Sequence, residues 1–346
     1  MWRDIKKIIQ SHHHFVLTTH LNPDGDGIGS ACALTELLLQ MGKQVRFVCD
    51  SPIPFKFSFL DYHKTHKVYQ SHENYSDCEV LVVLDTHKRE RIGRLSRLID
   101  NPGVVTLCID HHEVAEPFTQ HLAIDPKACS VGAMVYSLYK KSGFEVNLRA
   151  AKGIYTSILC DTGRFSYSST SRKAHRIADE CIRLGVDPDL MHSKLFQHVS
   201  LGEIKLFAMA LQGMEMYFDN NVAVQHLRKE ACEHLDGYVL DLENIDLEYI
   251  HDFNNLIEDV QCFVLLRELG QNKVRVSMRS RTNLDISHLV QSLGGGGHAN
   301  AAGLSWSGSA EEIKKRILKM LEPHFKKCEV ESLFSTCRLA SREFQT

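Results

Sequence analysis

Histidine and aspartate residues cluster at four places in this chain, each at the end of an apolar run. The first cluster lies in FVLTTHLNPDGDGIGSACAL, residues 15–34, where an apolar run ends in polar residues interleaved with glycines. Imidazole and carboxylate groups are ligands of divalent metal ions. Asn-Pro-Asp-Gly is also strong turn chemistry, so this stretch alone is equally compatible with an ordinary turn. The clusters are His20 with Asp24 and Asp26, then Asp85, then Asp110 with His111 and His112, and finally Asp161.

Each later cluster has a simpler explanation when it is taken singly. Asp85 could cap a following helix, His111 could be a hydrogen-bonded core histidine, and Asp161 could be a turn residue. In an open parallel sheet, however, the carboxyl ends of the strands lie along one edge, so side chains distant in sequence meet there. Four such clusters therefore favour one shared site over four separate explanations.

The clusters contain five aspartates, which would repel one another at a single site unless cations neutralised them. A carboxylate-rich set with one or two imidazoles suits Mn²⁺, or a similar ion such as Mg²⁺, Co²⁺ or Fe²⁺, better than a thiolate zinc site does. The number of ligands fits two ions joined by one bridging aspartate. A two-metal centre stabilises the attacking and leaving oxygens in displacement at phosphorus, so these residues predict hydrolysis of a phosphate ester.

The elements that must position these clusters alternate between strands and helices. The run at 80–85 is apolar up to its final aspartate, as expected for a strand buried on both faces of a parallel sheet. The alternation predicts a doubly wound, mostly parallel α/β sheet, with an irregular lid or surface segment at 51–61. Strands are predicted at 15–19, 45–50, 80–85 and 104–110, and helices at 1–12, 28–41, 130–142, 149–160 and 172–184.

The second half of the chain has a different pattern, which predicts a smaller mixed α/β domain. Its strands are expected at 214–218, 222–227, 260–268 and 273–279, and its helices near 246–255, 285–292 and 310–321. A length of 346 residues also favours two domains. The predicted limits are 1–186 for the metal-binding domain, 187–212 for a helical connector, 213–325 for the second domain and 326–346 for a polar tail.

Composition limits the partners of this chain. Its 40 basic and 43 acidic residues argue against coating long or duplex nucleic acid, although not against a small anionic substrate. The 11 cysteines are scattered without a CxxC pair, which suits free thiols in a reducing cytoplasm. No apolar run approaches the roughly 18 residues that span a bilayer, so no membrane partner is expected. The oligomeric state stays open, with a homodimer as one option.

Five segments resemble, in order, the motifs of the DHH phosphoesterases. HLNPDGDGIGS, LDTHKRERIG, IDHHE and CDTGRF are similar to the motifs of the catalytic domain. VSMRSRTNLDISHLVQSLGGGGHANAAG resembles the glycine-rich signature of the DHH-associated domain, type 1. The resemblance covers about residues 10–325 and implies two domains that face each other across a cleft, with two Mn²⁺ ions in the first.

The resemblance also implies a role for each clustered residue. One ion would be bound by His20 and Asp24, and the other by Asp26, His111 and Asp161. Asp85 would bridge the two ions. His112 would lie beside the scissile phosphate as a hydrogen-bond donor or acid, and Asp110 would orient a histidine.

Substrate binding is implied mainly for the second domain. Arg279 would pair with a terminal phosphate, although without the family a solvated cation on a strand face is an equally good explanation. The glycine run would form a backbone cradle for phosphate or base, with a flexible linker as the alternative. Arg91 would either close the site through a salt bridge or contact phosphate. The matching residues are Arg279, Ser280, Gly295, Gly296, Gly297 and His298, together with Arg91.

The resemblance implies an Mn-dependent cytoplasmic phosphoesterase of the nanoRNase and pAp-phosphatase branch. It would hydrolyse short oligoribonucleotides, from di- to pentanucleotides, to mononucleotides, and 3′-phosphoadenosine 5′-phosphate (pAp) to AMP. The alternative is a phosphodiesterase for cyclic or linear dinucleotides such as c-di-AMP, pApA or pGpG. A non-catalytic nucleotide sensor is a remote alternative, because every expected ligand is present. Thr86-His87-Lys88 and Arg164 depart from the family pattern and leave substrate preference open.

Overall fold

The computed structural model describes residues 2–112, 117–233, 247–270, 272–281 and 284–325, together with 235, 237, 238, 240, 242, 243 and 245. The chain divides into two compact units, Met1–His198 and Val199–Thr346. This division falls inside the predicted connector 187–212. The predicted limits 1–186 and 213–325 remain predictions, and the predicted tail at 326–346 lies outside the described residues.

The first unit is built on a six-stranded parallel sheet. Its strands are β1 (His14–Thr18), β2 (Gln44–Cys49), β3 (His66–Val68), β4 (Val80–Leu84), β5 (Val105–Asp110) and β6 (His121–Ile124). They lie in the order β3-β2-β1-β4-β5-β6, and all neighbours are parallel. The direction in which strands are added reverses between β1 and β4. Doubly wound sheets bind ligands at such a switch point, outside the carboxyl ends of the strands.

Both faces of this sheet are covered, which explains the continuous apolar run of β4. Val80, Val82 and Leu84 belong to the core on one face, and Leu81 and Val83 belong to the core on the other. The prediction of a parallel sheet with a doubly buried strand is therefore confirmed. The helices of this unit are α1 (Trp2–Ser11), α2 (Gly25–Gln40), α3 (Val131–Ser142), α4 (Leu148–Asp161), α5 (Arg172–Arg183) and α6 (Pro188–Phe196), with 3₁₀ helices at Phe55–Leu60 and Arg89–Leu98.

Helices α2 and α4 approach each other closely at a pair of glycines. A Cβ atom on Gly29 would overlap the carbonyl oxygen of Gly153, and one on Gly153 would lie 2.5 Å from the carbonyl oxygen of Gly29. Backbone therefore packs directly on backbone at this crossing, and a side chain on either residue has no space. The crossing matters for function because the start of α2 and the end of α4 both carry predicted metal ligands.

The second unit contains a mixed sheet, as predicted for the smaller domain. Its strands lie in the order β11-β12-β10-β9-β8-β7, and only β8 and β9 are parallel neighbours. The strands are β7 (Glu215–Tyr217), β8 (Val222–Leu227), β9 (Cys262–Gly270), β10 (Lys273–Ser280), β11 (Gly296–His298) and β12 (Ala301–Ser307). The helices are α7 (Leu201–Gln212), α8 (Lys229–Glu233), α9 (Glu248–Asn254), α10 (Ser287–Ser292) and α11 (Ala310–Phe325).

The structure differs from the sequence-based prediction in its short elements and at one helix break. Strands β3, β6, β11 and β12, helix α8 and both 3₁₀ helices were not predicted. The helical region expected at 189–212 is interrupted between α6 and α7. The interruption has a local cause, because Ser200 and Glu203 form a reciprocal capping box that starts a new helix. Among the described residues, no helix is long and apolar enough to cross a membrane.

Candidate metal centre

All eight predicted metal-binding and catalytic residues meet at the carboxyl edge of the parallel sheet. Their ligand atoms form three overlapping groups, and within each group these atoms lie within 4.8 Å of one another. Each group could hold a metal ion. The groups are His20 with Asp24 and Asp85; Asp26 with His111 and Asp161; and Asp85 with Asp110, His111 and His112.

The first group joins the end of β1 to the start of α2 and the end of β4. His20 Nε2 lies 3.6 Å from Asp24 Oδ2 and 3.6 Å from Asp85 Oδ2. His20 Nδ1 donates a hydrogen bond of 2.8 Å to the carbonyl oxygen of Leu21, which places the ring proton on Nδ1. Nε2 is therefore the nitrogen that is available to bind a cation held between it and the two carboxylates, as in a metal-binding histidine.

The second group joins the end of β5 to α2 and to the last residue of α4. His111 Nε2 lies 3.2 Å from Asp161 Oδ2, 3.7 Å from Asp26 Oδ2 and 3.8 Å from Asp85 Oδ1. His111 Nδ1 lies 3.2 Å from the carbonyl oxygen of Ala128 and donates to it, so again Nε2 faces the carboxylates. The signal in the sequence was that His20, Asp85, His111 and Asp161 each lie at the end of an apolar run.

Asp85 stands between these two groups. One carboxylate oxygen, Oδ2, faces His20, while the other, Oδ1, faces His111. Its backbone has a φ of 59°, in the left-handed region, and its amide donates to the carbonyl oxygen of Ile109 at the end of the β4–β5 pairing. A non-glycine residue held in this region costs on the order of 1–2 kcal/mol, and such strain concentrates at functional sites.

The electrostatics of the centre fit bound cations. Burial, followed by the charges of Asp26 and Asp24, raises the pKa of Asp85 well above its usual range. Burial and the charges of Asp26 and Asp85 raise the pKa of Asp161 to about 10. Without cations, these carboxylates oppose one another's ionisation. Divalent ions would restore the charged forms, and this carboxylate-rich donor set with two imidazoles is the kind that Mn²⁺ and similar ions prefer.

Asp26 is held by groups that the sequence reasoning did not identify. Its side chain is 1% exposed and accepts hydrogen bonds from the amides of Val131 and Gly132 at the start of α3. Ser157 Oγ donates a third bond, 2.6 Å long, to Asp26 Oδ1. Ser157 precedes Asp161 by one turn of α4 and therefore faces the same side. That helical spacing was the signal in the sequence that could have identified it.

If Asp26 binds a metal ion, replacing Ser157 with alanine is expected to weaken metal binding by about 10- to 100-fold, because it removes the hydroxyl that orients this carboxylate. The measurement is the Mn²⁺ concentration that gives half-maximal hydrolysis, together with calorimetric titration of the metal-free protein. Thr156→Ala is the matched control, because the Thr156 hydroxyl donates to Lys152 within the same helix. Equal metal affinity in Ser157→Ala and Thr156→Ala would contradict the role of Ser157.

His112 is surrounded by Asp110 and His87. Its Nδ1 lies 2.7 Å from Asp110 Oδ1, which also accepts the backbone amides of His111 and His112. The Asp110 side chain is completely buried, so it can fix the orientation of the His112 ring. His87, for which the sequence suggested no role, has its ring centre 5.4 Å from that of His112 and its Nδ1 3.7 Å from Asp110 Oδ2.

In the second unit, most predicted substrate-binding residues lie at one end of the β9-β10-β12-β11 sheet. Arg279 of β10 pairs with Ala301 of β12, and its Nη1 donates to the carbonyl oxygen of Met278. Ser280 Oγ donates to the carbonyl oxygen of Leu284 at 2.6 Å. The side chain of His298 lies outside the described part of the structure.

The glycine run is an ordered turn and strand, not the flexible linker that was the alternative. Gly295 precedes β11, and Gly296 and Gly297 pair with Gly303 and Ala302 of β12. A Cβ on Gly295 would lie 2.5 Å from the carbonyl oxygen of Gly303. Gly297 has a φ of 149°, a conformation that favours glycine. The run therefore presents bare backbone, which is what a cradle for phosphate or base needs.

Arg91, the remaining predicted substrate residue, belongs to the first unit. Its carbonyl oxygen accepts a 2.6 Å hydrogen bond from the amide of Leu21, the residue after His20. This contact ties the 3₁₀ helix Arg89–Leu98 to the turn that carries the first predicted metal ligands. Burial lowers the pKa of the neighbouring His87, and the charge of Asp110 opposes this shift. The positive charge of Arg91 is one of several nearby charges that lower the pKa of His87 further.

The fold and the carboxylate–histidine groups at the sheet edge fit a phosphoesterase whose residues could hold divalent metal ions. Comparison with known families agrees. Residues 14–173 match the DHH family, N-terminal domain, and residues 238–327 match the DHHA1 domain. The chain belongs to the DHH phosphoesterases, which confirms the resemblance found in the sequence, and it is a hydrolase that acts on phosphoester bonds.

Its relatives include two bacterial proteins of the same name. It is 28% identical over 309 residues to the bifunctional oligoribonuclease and PAP phosphatase NrnA of Bacillus subtilis, with 88% of this chain and 93% of that protein covered. The protein of that name from Thermus thermophilus is 29% identical over 312 residues, with coverages of 88% and 87%. A solved structure of an exopolyphosphatase-related protein from Bacteroides fragilis matches with a TM-score of 0.86 at 27% identity, and 94% and 97% of the two chains are covered.

Proposed function

We propose that this protein hydrolyses very short oligoribonucleotides, from di- to pentanucleotides, to mononucleotides, and that it also converts pAp to AMP. Support for the reaction comes chiefly from Asp85, which offers one carboxylate oxygen to the group of His20 and the other to the group of His111. Support for the substrates comes from the relatives, which are named as oligoribonucleases and PAP phosphatases and align over most of both chains.

The proposed ions are two Mn²⁺, with Mg²⁺, Co²⁺ and Fe²⁺ as alternatives for the same donors. When bound, two such ions neutralise the crowded carboxylates, polarise the phosphoryl group and activate the attacking water. One ion would be held by His20, Asp24 and Asp85, and the other by Asp26, Asp85, His111 and Asp161.

His112 is the residue proposed to act on the departing group. Hydrolysis joins the oxygen of water to phosphorus and breaks the bond to the leaving oxygen, which must gain a proton. Burial acts to lower the pKa of His112, but the hydrogen bond and charge of Asp110 raise it above its ordinary value. Asp110 also occupies Nδ1, so Nε2 is the nitrogen that can donate to the phosphate or the leaving oxygen.

A panel of substrates tests this proposal. The protein is purified, supplied with Mn²⁺, and assayed on a dinucleotide, a pentanucleotide, a long single-stranded RNA, pAp, c-di-AMP, c-di-GMP and pyrophosphate. We expect the highest kcat/KM on the di- and pentanucleotide, with turnover of pAp. Equal rates on the pentanucleotide and the long RNA would contradict the preference for short substrates. A higher kcat/KM on a cyclic dinucleotide would replace the proposal with a dinucleotide phosphodiesterase.

Arg279 gives a second test, because it is proposed to pair with a terminal phosphate. Losing a charge-assisted hydrogen bond costs about 1.5–3 kcal/mol, so Arg279→Ala is expected to raise KM for a 5′-phosphorylated dinucleotide by about 10- to 100-fold. Arg275→Ala is the matched control, since Arg275 lies four residues earlier on the same face of β10. An unchanged KM in Arg279→Ala, or the same increase in Arg275→Ala, would exclude the proposed phosphate contact.

We also propose that the protein works in the cytoplasm. Support comes from its cysteines, because none of the nine that lie in the described part of the chain is in a disulfide bond, and eight of these nine are buried. Burial raises the pKa of several, that of Cys49 to about 12, which keeps them protonated and unreactive. Cysteines outside disulfide bonds are typical of proteins in a reducing compartment.

A further inference from the structure

A solvent-accessible cavity of about 440 Å³ lies between α3 and α5 of the first unit. Its wall on α3 includes Tyr136 with Lys140 and Lys141, and its wall on α5 includes Lys173, Arg176 and Ile177. Lys140 lies one helical turn after Tyr136 on α3, and Arg176 and Ile177 lie one turn after Lys173 on α5, so each helix turns one surface toward the same space. We call this cavity the basic pocket.

The basic pocket is separate from the metal centre. Helix α3 reaches the metal centre only at its first residues, where the amides of Val131 and Gly132 bond to Asp26. Lys140 lies nine residues further along, which corresponds to about 13 Å along the helix axis. None of the residues that line the basic pocket belongs to a group that could hold a metal ion.

The charges of the basic pocket are mostly unbalanced. Lys140 lies 3.4 Å from Glu180 and 5.2 Å from the ring centre of Tyr136, so it is partly compensated. Lys141, Lys173 and Arg176 have no hydrogen bond or ion pair from their side chains to any described residue. The lining contains four cations and no carboxylate. Like charges held around one cavity repel one another, and a bound anion would relieve that repulsion.

The remaining lining residues indicate what kind of anion fits. Tyr136 and the buried Ile177 give the basic pocket an apolar surface beside its cations. Small-molecule sites in proteins have volumes of roughly 300–1,000 Å³ and combine apolar walls with a few polar groups. A bare inorganic anion would use only the cations, whereas a nucleotide would use both the cations and the apolar wall.

We propose that the basic pocket binds a mononucleotide through its phosphate, at a site distinct from the one that hydrolyses substrate. The phosphate contacts Lys173 and Arg176, with Lys141 at the edge, and the nucleoside contacts Tyr136 and Ile177. Arg and Lys are the usual partners of phosphate in proteins.

The test is calorimetric titration of the full-length protein in EDTA with AMP, ATP and orthophosphate as separate probes. Wild-type protein is expected to bind AMP or ATP, and Lys173→Gln/Arg176→Gln is expected to bind it at least tenfold more weakly. Arg172→Gln is the control, because this cation is adjacent on α5 but does not line the basic pocket. The same titration of Arg279→Ala shows whether nucleotide binds in the second unit instead. Nucleotide binding that persists in Arg279→Ala is assigned to the basic pocket.

Hydrolysis of a short RNA and the Tm are expected to be unchanged in Lys173→Gln/Arg176→Gln. If that protein does not fold, Lys141→Gln, a change at an exposed side chain, replaces it. The proposal is overturned if the pocket variant binds nucleotide as tightly as wild type, if Arg172→Gln weakens binding equally, or if Arg279→Ala abolishes it. Orthophosphate binding as tight as that of AMP would overturn the assignment to a nucleotide.

Discussion

Asp85→Asn is expected to lower kcat on a short RNA by about a thousandfold or more. The reason is that Asp85 is the residue whose two oxygens face the two groups of ligands. Charge stabilisation by metal ions contributes several kcal/mol at the transition state, and each 1.36 kcal/mol is a factor of ten in rate. The measurement is kcat at saturating Mn²⁺. Asp100→Asn is the control, since this exposed carboxylate pairs with Arg89 at the surface.

The same substitution is expected to leave the stability of the metal-free protein unchanged or to increase it. Folding raises the pKa of Asp85, and a carboxyl with a raised pKa destabilises the folded state at every pH above its unfolded value. In EDTA at neutral pH, Asp85→Asn should therefore unfold at the same temperature as wild type or a higher one. Mn²⁺ should raise the Tm of wild type by mass action, and that of Asp85→Asn much less.

These two measurements together separate a loss of the centre from a loss of the fold. A low kcat with a preserved Tm in EDTA supports a metal-binding role for Asp85. A kcat within a few-fold of wild type would be incompatible with two ions joined at this residue. A Tm in EDTA well below that of wild type would instead make Asp85 a structural residue whose charge is satisfied without a cation.

The convergence of the predicted metal ligands at the carboxyl edge could be predicted, because a parallel sheet imposes their meeting point. Once β1, β4 and β5 were expected to lie in one parallel sheet, His20, Asp85 and His111 were expected at its carboxyl edge. The continuous apolar run of β4 also predicted a parallel sheet, since a strand covered on both faces shows no alternation of polar and apolar residues. The left-handed backbone conformation of Asp85 left no signal in the sequence, because aspartate does not require it.

Other features depend on contacts between elements that no local pattern records. Helical spacing places Ser157 on the side of α4 that carries Asp161, but its bond to Asp26 depends on how α2 and α4 meet. Strand β3 has three residues and was too short for a period of two to appear. The basic pocket is divided between α3 and α5, so each helix alone shows only a few surface cations. His87 looked like a departure from a motif until the structure placed it beside His112.

Gly29→Ala is expected to reduce both stability and activity, because the crossing of α2 and α4 has no space for a methyl group. The added Cβ would overlap the carbonyl oxygen of Gly153, which is backbone and cannot rotate away. Overpacking of this kind typically costs about 1–3 kcal/mol of unfolding free energy. The helices would have to separate, which would shift Asp26 at the start of α2 relative to Asp161 at the end of α4. A misplacement near 1 Å can lower a rate by about a hundredfold.

Chemical denaturation measures the expected loss of unfolding free energy in Gly29→Ala, and the Mn²⁺ dependence of hydrolysis measures the expected loss of activity. Gly103→Ala is the control, because the nearest atom to its added Cβ among the described residues would be Asn101 Oδ1, at 3.4 Å. We expect Gly103→Ala to resemble wild type, while Gly29→Ala requires more Mn²⁺ for half-maximal activity, since its ligands no longer converge. Full activity with normal Mn²⁺ dependence in a destabilised Gly29→Ala would mean that the crossing supports the fold but does not set the geometry of the metal centre.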